Sequence, residues 1–177
     1  INELQATTKA DLARTQFGWT DDTHSAFVIG NQEVTADGVK SNPPSKATAG
    51  LMSALKPKGS LEQWKKMANF YNRDGFELHQ YVVASAFGSP LMSLMPIACS
   101  GFHLHSKDTG LGKTTAMHVG ASVWGNPKTL VVEAKDTQNS LMLRGEVYKN
   151  LPFYIDELTN AKGEELSDLI YQLSSGR

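Results

Sequence analysis

The sequence has little cysteine, little net charge and no long uninterrupted apolar run. Cys99 is the single cysteine, which excludes a disulfide framework and is typical of a reducing compartment. We therefore expect a cytoplasmic location. The 17 basic and 18 acidic residues leave a formal net charge of -1, so contact with nucleic acid requires a local basic patch. Apolar residues make up 40% of the 177 residues, a share that favours a packed core over disorder.

No Asp, Glu, Lys or Arg occurs between Glu77 and Lys107, so a membrane span has to be considered. A spanning helix needs about 20 consecutive, mostly apolar residues. Glycine and proline residues, among them Gly88 and Pro96, interrupt this stretch. We predict two short buried helices followed by a buried strand, with Cys99 as a small buried hydrophobe, and no membrane insertion.

The chain is expected to be a segment of a longer protein, because it starts at Ile1 and ends at Arg177 directly after a helical pattern. Its composition divides it into three parts. Residues 1–58 predict a mixed region of strands and loops, residues 59–100 a helical connector, and residues 101–177 a truncated nucleotide-binding core of alternating strands and helices.

The first two parts contain several local signals. A short helix is predicted over residues 3–14. The dipeptide Gly30-Asn31 predicts a hairpin turn, and the proline-rich stretch 41–50 predicts a mobile loop. Ser60 and Gln63 form a capping-box pattern, which predicts a helix to about residue 72.

The third part alternates between two periodicities. Strands are predicted over residues 101–105, 129–133 and 152–156, and helices over residues 113–123, 136–149 and 163–173. Alternation of this kind implies a parallel sheet that is covered on both faces by helices.

The turn between the first of these strands and its helix has the composition of a phosphate-binding loop. It reads Lys107-Asp108-Thr109-Gly110-Leu111-Gly112-Lys113-Thr114-Thr115. Small residues let backbone N–H groups wrap a phosphate, and the helix that follows directs its free N–H groups at the anion. Lys113 would reach the β- and γ-phosphates, and Thr114 would hold Mg²⁺. The full pattern has Gly where Lys107 stands, and an ordinary strand–helix turn is the alternative.

An acidic pair follows the third strand of this part. At the carboxyl end of a parallel strand, Asp156 would hold the metal through its water shell, and Glu157 would orient or deprotonate the attacking water. The alternative is that either residue caps the next helix or is solvated. Adjacent Asp and Glu favour a hydrolase that drives motion over a small-molecule kinase, which needs no water-activating Glu.

Accessory site residues are predicted on and before the helix over 136–149. Arg144 is a candidate arginine finger for a neighbouring subunit, or else a solvent-exposed residue. Thr137 and Asn139 follow a strand end, where ligands of parallel sheets collect, and would contact the nucleotide or polarise water. A helix N-cap explains Asp136 or Thr137 equally well.

Two further patterns are weaker. Residues 64–73 combine Trp64, Lys65, Lys66, Phe70, Tyr71 and Arg73. This pattern is typical of a surface that binds single-stranded nucleic acid. The alternative is that Trp64 and Phe70 pack inward while the lysines are solvated. His103 and His105 share one face of a predicted strand, but they lack the partners of a metal site.

Several segments together resemble a known family. They are Gly101 to His105, Gly112 to Thr115, Ala121 to Pro127, Asp136 to Ser140 and Asn150 to Thr159, with further likeness at Phe17 to Trp19, Phe27 to Gly30, Gly59 to Trp64 and Ala86 to Leu91. From about residue 17 to 177 the chain resembles a phage and plasmid family that is catalogued as domain of unknown function 927 and described as helicase-like. Because members sit beside primase or replication modules, the resemblance implies an ATPase that works on DNA.

The expected fold is α/β. It is a P-loop NTPase sheet of the additional-catalytic-Glu class with flanking helices, incomplete at its end and preceded by a small α+β region. The expected function is ATP hydrolysis with Mg²⁺ in a phage or plasmid DNA helicase or translocase that acts as a homo-oligomeric ring. A further strand of this class would follow Arg177, so this chain alone is expected to have weak or no activity. The alternatives are a nucleotide-binding module without hydrolysis and a P-loop kinase.

Overall fold

The computed structural model describes residues 13–97, 99–158 and 163–175, and it contains two separate sheets. The first is an antiparallel meander of β1 (Gly18–Trp19), β2 (Ala26–Ile29), β3 (Gln32–Thr35) and β4 (Gly38–Ser41). The second is a parallel pair of β5 (Val131–Glu133) and β6 (Tyr154–Asp156). The fold is therefore mixed α/β. The helix predicted over residues 3–14 lies, up to residue 12, outside the described residues.

Helices connect and cover these sheets. They are α1 (Ala49–Met52), α2 (Leu61–Ala68), α3 (Glu77–Gly88), α4 (Lys113–Ala121), α5 (Pro127–Leu130), α6 (Gln138–Tyr148) and α7 (Gly163–Ser175), with 3₁₀ turns at Asn69–Tyr71 and Ser89–Leu94. The Ser60 side chain accepts a hydrogen bond from the Gln63 N–H, so the predicted cap of α2 is confirmed. The Thr137 side chain caps α6 by accepting from the Ser140 N–H at 3.3 Å.

The antiparallel sheet confirms the predicted hairpin and shows how the loop after β4 is anchored. Gly30 has a φ of +53° in the two-residue turn between β2 and β3, a conformation that glycine adopts at no steric cost. Within the loop predicted over residues 41–50, Ser41 ends β4, Ala49 starts α1, and residues 42–48 between them form neither helix nor strand. This loop is anchored, since the Asn42 side chain is buried and donates to the Gly30 carbonyl at 2.8 Å. Thr48 is fully buried and shares a hydrogen bond with Ser45.

One core joins the two halves of the chain. Its buried members include Phe17, Val28, Leu51, Leu55, Val82, Ala116, Leu130, Tyr148 and Tyr154. Backbone hydrogen bonds also cross between the halves: the Phe17 N–H donates to the Val147 carbonyl at 2.8 Å, and the Asn126 N–H donates to the Ala54 carbonyl at 2.7 Å. Residues from all three predicted parts therefore pack against one another.

The parallel sheet is smaller than predicted. Residues 101–105 form no strand, because a strand needs a neighbouring backbone to pair with, and within the described residues β5 and β6 pair only with each other. The strand predicted from residue 129 begins at Val131 instead. Asn126 and Pro127 explain this shift, since the Asn126 side chain accepts from the Lys128 N–H and the proline starts the short helix α5.

The uncharged stretch before residue 107 is more exposed than its composition predicts. In α3, Val82 and Ala86 are buried, but Leu78 and Tyr81 are exposed. Further exposed apolar side chains are Phe87, Leu91, Leu94, Met95, Ile97 and Phe102. Cys99 is also exposed, so the prediction of a buried segment is wrong here, because no described element covers this face. None of the described helices has both the length and the apolar character that crossing a bilayer requires.

Tyr154 is the buried residue that starts β6. Its hydroxyl lies against Gly120 of α4, and it has no hydrogen-bond partner among the described residues. Burial raises the pKa of Tyr154 to about 12, and the nearby Ser85 hydroxyl donates to the Val82 carbonyl at 2.8 Å instead. The phenol therefore stays neutral in the folded protein at pH values at which it ionises in the unfolded chain.

We expect Tyr154→Phe to raise the free energy of unfolding by about 1 kcal/mol at pH 7, because an unpaired buried hydroxyl is removed. A raised pKa stabilises the folded wild type fully below the unfolded pKa near 10, and this contribution is lost as the pH rises towards 12. The advantage of the variant should therefore widen between pH 10 and 12. Urea unfolding of wild type and variant at pH 7 and again above pH 10 measures the difference in free energy of unfolding. A variant that is less stable than wild type at pH 7 would contradict an unpaired hydroxyl at Tyr154.

Candidate functional site

The loop before α4 turns at two glycines. Gly110 and Gly112 both have left-handed φ values, +76° and +77°, and Gly112 is the N-cap of α4. Residues with a side chain rarely adopt this conformation. The first N–H groups of a helix have no partner within it, so an anion at the start of α4 can accept from them. Residues 107–111 are exposed, so the loop is open to solvent.

Lys113 is the first residue of α4 and lies over this loop. Its Nζ donates to the Asp108 carbonyl at 3.3 Å, and its side chain is half-buried.

The entrance of the loop is held by Ser106, whose hydroxyl is 3.1 Å from both the N and the O of Asp108. Ser106 therefore restrains the position at which Lys107 replaces the glycine of the full motif, a role that sequence reasoning missed.

The two threonines that follow lie in the first turn of α4. Thr114 and Thr115 are exposed, and within the described residues neither hydroxyl forms a hydrogen bond. Thr109 is also exposed. The Thr114 hydroxyl is therefore free to serve as an oxygen ligand of a hard cation such as Mg²⁺.

His79 of α3 supports the loop from outside. Its Nε2 lies 2.8 Å from the Leu111 carbonyl, which can only accept, so Nε2 carries the proton. The same nitrogen is 3.2 Å from the position of a Cβ on Gly112, so the ring is in close contact with the turn. His79 lies far upstream of the motif, and no signal in the sequence indicates this contact.

The acidic pair lies at the end of β6. Asp156 is the last residue of the strand, and Glu157 follows it with a left-handed φ of +59°. The Glu157 N–H donates to Asp156 Oδ1 at 2.8 Å. A non-glycine residue in this conformation costs about 1 kcal/mol or more and is enriched at functional sites, so the strain itself marks Glu157 as a candidate.

Further charges surround this pair. Glu133 is opposite Asp156 in the parallel register, and it forms an ion pair with Lys135. The Glu133 carboxylate raises the pKa of the Lys135 ammonium, and Glu157 and Asp136 contribute in the same direction. Sequence reasoning missed Glu133, because the register of β5 against β6 decides which residue lies opposite Asp156, and it also missed the local ion pair with Lys135.

The loop and the acidic pair lie on connected elements. Helix α4 packs on both β5 and β6, and Gly120, near its carboxyl end, lies against Tyr154 at the start of β6. The carboxyl end of α4 therefore lies at the start of β6. Among the described residues, no hydrogen bond or ion pair joins Asp156 or Glu157 to the loop, and no three His, Cys, Asp or Glu side chains form a metal-binding group.

The accessory candidates have separate roles. Arg144 Nη1 donates to the Thr129 carbonyl at 3.2 Å, so it ties α6 to the chain before β5. Asn139 is exposed in the first turn of α6. Because Thr137 is the N-cap, the capping explanation for that residue is confirmed.

The weaker sequence patterns are resolved in part. Trp64 packs inward, with its Nε1 donating to Ser122 at 2.7 Å and its ring against Phe87. Phe70, by contrast, is half exposed. His103 and His105 are exposed with ring centroids 6.1 Å apart, and the strand that would align them is absent.

Fold and site together define a mixed α/β domain with a glycine-hinged loop at a helix start and a strained acidic residue after a parallel strand. The chain belongs to the family Domain of unknown function (DUF927), whose family model matches residues 1–177. The resemblance to domain of unknown function 927 is thus confirmed. Neither a curated protein nor a solved structure matches the chain.

Proposed function

We propose that this chain is the ATP-binding and ATP-hydrolysing part of a motor of the P-loop class with an additional catalytic Glu. The observation that carries the proposal is the left-handed Gly112 at the start of α4, followed directly by Lys113 with its ammonium over the loop. A triphosphate is the anion that suits this combination of backbone N–H groups, a helix N-terminus and a lysine.

The residues present fit a magnesium–nucleotide complex. The Thr114 hydroxyl and the Asp156 carboxylate are oxygen ligands of the kind that Mg²⁺ prefers, and this carboxylate accepts only one hydrogen bond within the described structure. The cation would neutralise phosphate charge when bound. With few carboxylates of its own, this site would complete the coordination shell with phosphate oxygens and water.

The chemistry then depends on electrostatics and on one base. Lys113 and the loop N–H groups would neutralise charge that develops on the γ-phosphate. Glu157 would accept a hydrogen bond from the attacking water and orient it. Its strained backbone is a reason to assign it this role, since strain of this kind persists where function requires it.

The work that hydrolysis drives is proposed from the family resemblance. We propose unwinding or translocation of DNA in phage or plasmid replication, by a homo-oligomeric ring in which Arg144 or another arginine completes a neighbouring site. A second candidate is a nucleotide-binding module without hydrolysis. It is favoured by one observation, namely that Glu157 has no bond to the loop among the described residues.

Lys113→Ala is expected to weaken MgATP binding at least tenfold, because one charge-assisted hydrogen bond to phosphate is worth roughly 1.5–3 kcal/mol. Isothermal titration with MgATP measures the affinity. Lys107→Ala is the matched control, since it removes a lysine from the exposed start of the same loop and should change the affinity less than threefold. Equal affinity of wild type and Lys113→Ala would refute the proposed phosphate site.

A further inference from the structure

An aromatic cluster lies beside the candidate phosphate loop. It consists of Phe70, Tyr71, Arg73, Phe76 and His79, which we call the 70–79 cluster. Tyr71 and Phe76 stack with ring centroids 5.7 Å apart, Phe70 meets Phe76 edge to face at 5.6 Å, and Phe76 contacts His79 at 5.0 Å. Sequence reasoning noted the aromatic and basic residues of this segment but not their arrangement or neighbours.

The cluster presents a cation on an open aromatic face. The Arg73 guanidinium carbon lies 3.9 Å from the Phe70 ring centroid and 5.8 Å from that of Phe76. Arg73 is exposed and Phe70 is half exposed. No carboxylate pairs with Arg73 in the described part of the chain. A guanidinium on a ring is a flat surface on which another π system can stack.

His79 joins this surface to the phosphate loop. It belongs to the 70–79 cluster through its ring contacts and to the loop through its hydrogen bond to the Leu111 carbonyl. The cluster reaches Arg73 through Phe76, which lies 5.0 Å from His79 and 5.8 Å from the Arg73 guanidinium carbon, so His79 and Phe76 lie between the loop and Arg73. A nucleotide carries its phosphates at one end and a flat base at the other.

The local charge favours a single nucleotide over a strand of nucleic acid. The basic residues of the surrounding segment are Lys65, Lys66 and Arg73, and its acidic residues are Glu62, Asp74 and Glu77. Lys65 is already paired with Glu62. Binding a polyanion requires an excess of positive charge along its backbone, which this segment lacks, whereas stacking of one base does not.

We propose that the base of the bound nucleotide stacks on the Arg73–Phe70 surface of the 70–79 cluster. This inference rests on the proposed function, because it takes the phosphate end of the same ligand to be held at Gly112 and Lys113. It assigns Arg73 and Phe70 as base-binding residues and His79 as the residue that separates the base subsite from the phosphate subsite.

The test compares ATP with inorganic triphosphate, which lacks the base. Arg73→Ala and Phe70→Leu are expected to weaken MgATP binding about tenfold, the loss typical of one base–aromatic stack, and to leave triphosphate binding within twofold. Phe70→Leu retains apolar packing. Lys66→Ala removes an exposed lysine of α2 and should change neither affinity, and thermal unfolding checks that each variant remains folded.

The other outcomes are equally distinct. Equal losses for ATP and triphosphate, or no loss for either, would overturn base stacking while leaving the phosphate site intact. A loss confined to a single-stranded oligonucleotide would also overturn it and make the cluster a nucleic-acid surface. If wild type binds neither ATP nor triphosphate, the proposed function fails, and the base subsite fails with it.

Discussion

Glu157→Gln is expected to reduce ATP turnover by about 10²–10³-fold while leaving MgATP affinity within threefold of wild type. The amide keeps the size and hydrogen-bonding reach of the carboxylate but cannot take a proton from water. Because the side chain is exposed at the strand end, the substitution should leave folding unchanged. Because this chain alone is expected to have weak or no activity, turnover is measured as release of γ-phosphate by the full-length protein at saturating MgATP, with and without single-stranded DNA.

Glu164→Gln provides the control, because it removes an exposed carboxylate from the start of α7 without touching the loop or β6. Turnover of Glu157→Gln equal to that of wild type would reject Glu157 as the water-orienting residue. Tight MgATP binding by the full-length wild type without any phosphate release would instead select the second candidate, a nucleotide-binding module that does not hydrolyse ATP.

Gly125→Ala is expected to destabilise the fold by about 3 kcal/mol or more. A Cβ at this position would lie 2.1 Å from the Ala54 carbonyl oxygen and 3.0 Å from its carbon, so backbone must move. That carbonyl also accepts the Asn126 N–H at 2.7 Å, and the shift would break a hydrogen bond between the two halves of the chain. Chemical unfolding by urea measures the loss.

Gly88→Ala is the matched control for this substitution. Gly88 ends α3, and a Cβ there meets no atom within 4 Å. Alanine has the higher helix propensity, so the variant should be as stable as wild type or up to about 1 kcal/mol more stable. If Gly125→Ala lowers the free energy of unfolding no more than Gly88→Ala does, the two halves of the chain do not approach as closely as described.

The parts of the site that could be predicted are those that depend on a few neighbouring residues. Ser60 and Thr137 are caps because their side chains reach N–H groups three residues on. Gly110 and Gly112 adopt left-handed backbone because glycine lacks the Cβ that disfavours this conformation in other residues. Such preferences act locally, so the chain carries them wherever it folds.

Long-range features could not be predicted, because they depend on contacts between residues far apart in the sequence. The segment 101–105 has the composition of a strand, but pairing depends on which backbone lies beside it. The apolar residues from Leu78 to Phe102 predict burial, yet many are exposed because no described element packs over them. His79 reaches the loop only because α3 packs against α4.

By itself the sequence determined the two glycines of the loop, the lysine that follows them, the helix caps and the position of Asp156 and Glu157 at the end of a strand. Only the tertiary structure decided that His79 supports the loop and that Glu133 lies opposite Asp156 at the acidic edge. The physical reason is distance along the chain: capping and backbone preferences act over about four residues, whereas packing brings together side chains that are tens of residues apart and whose free energies depend on their partners.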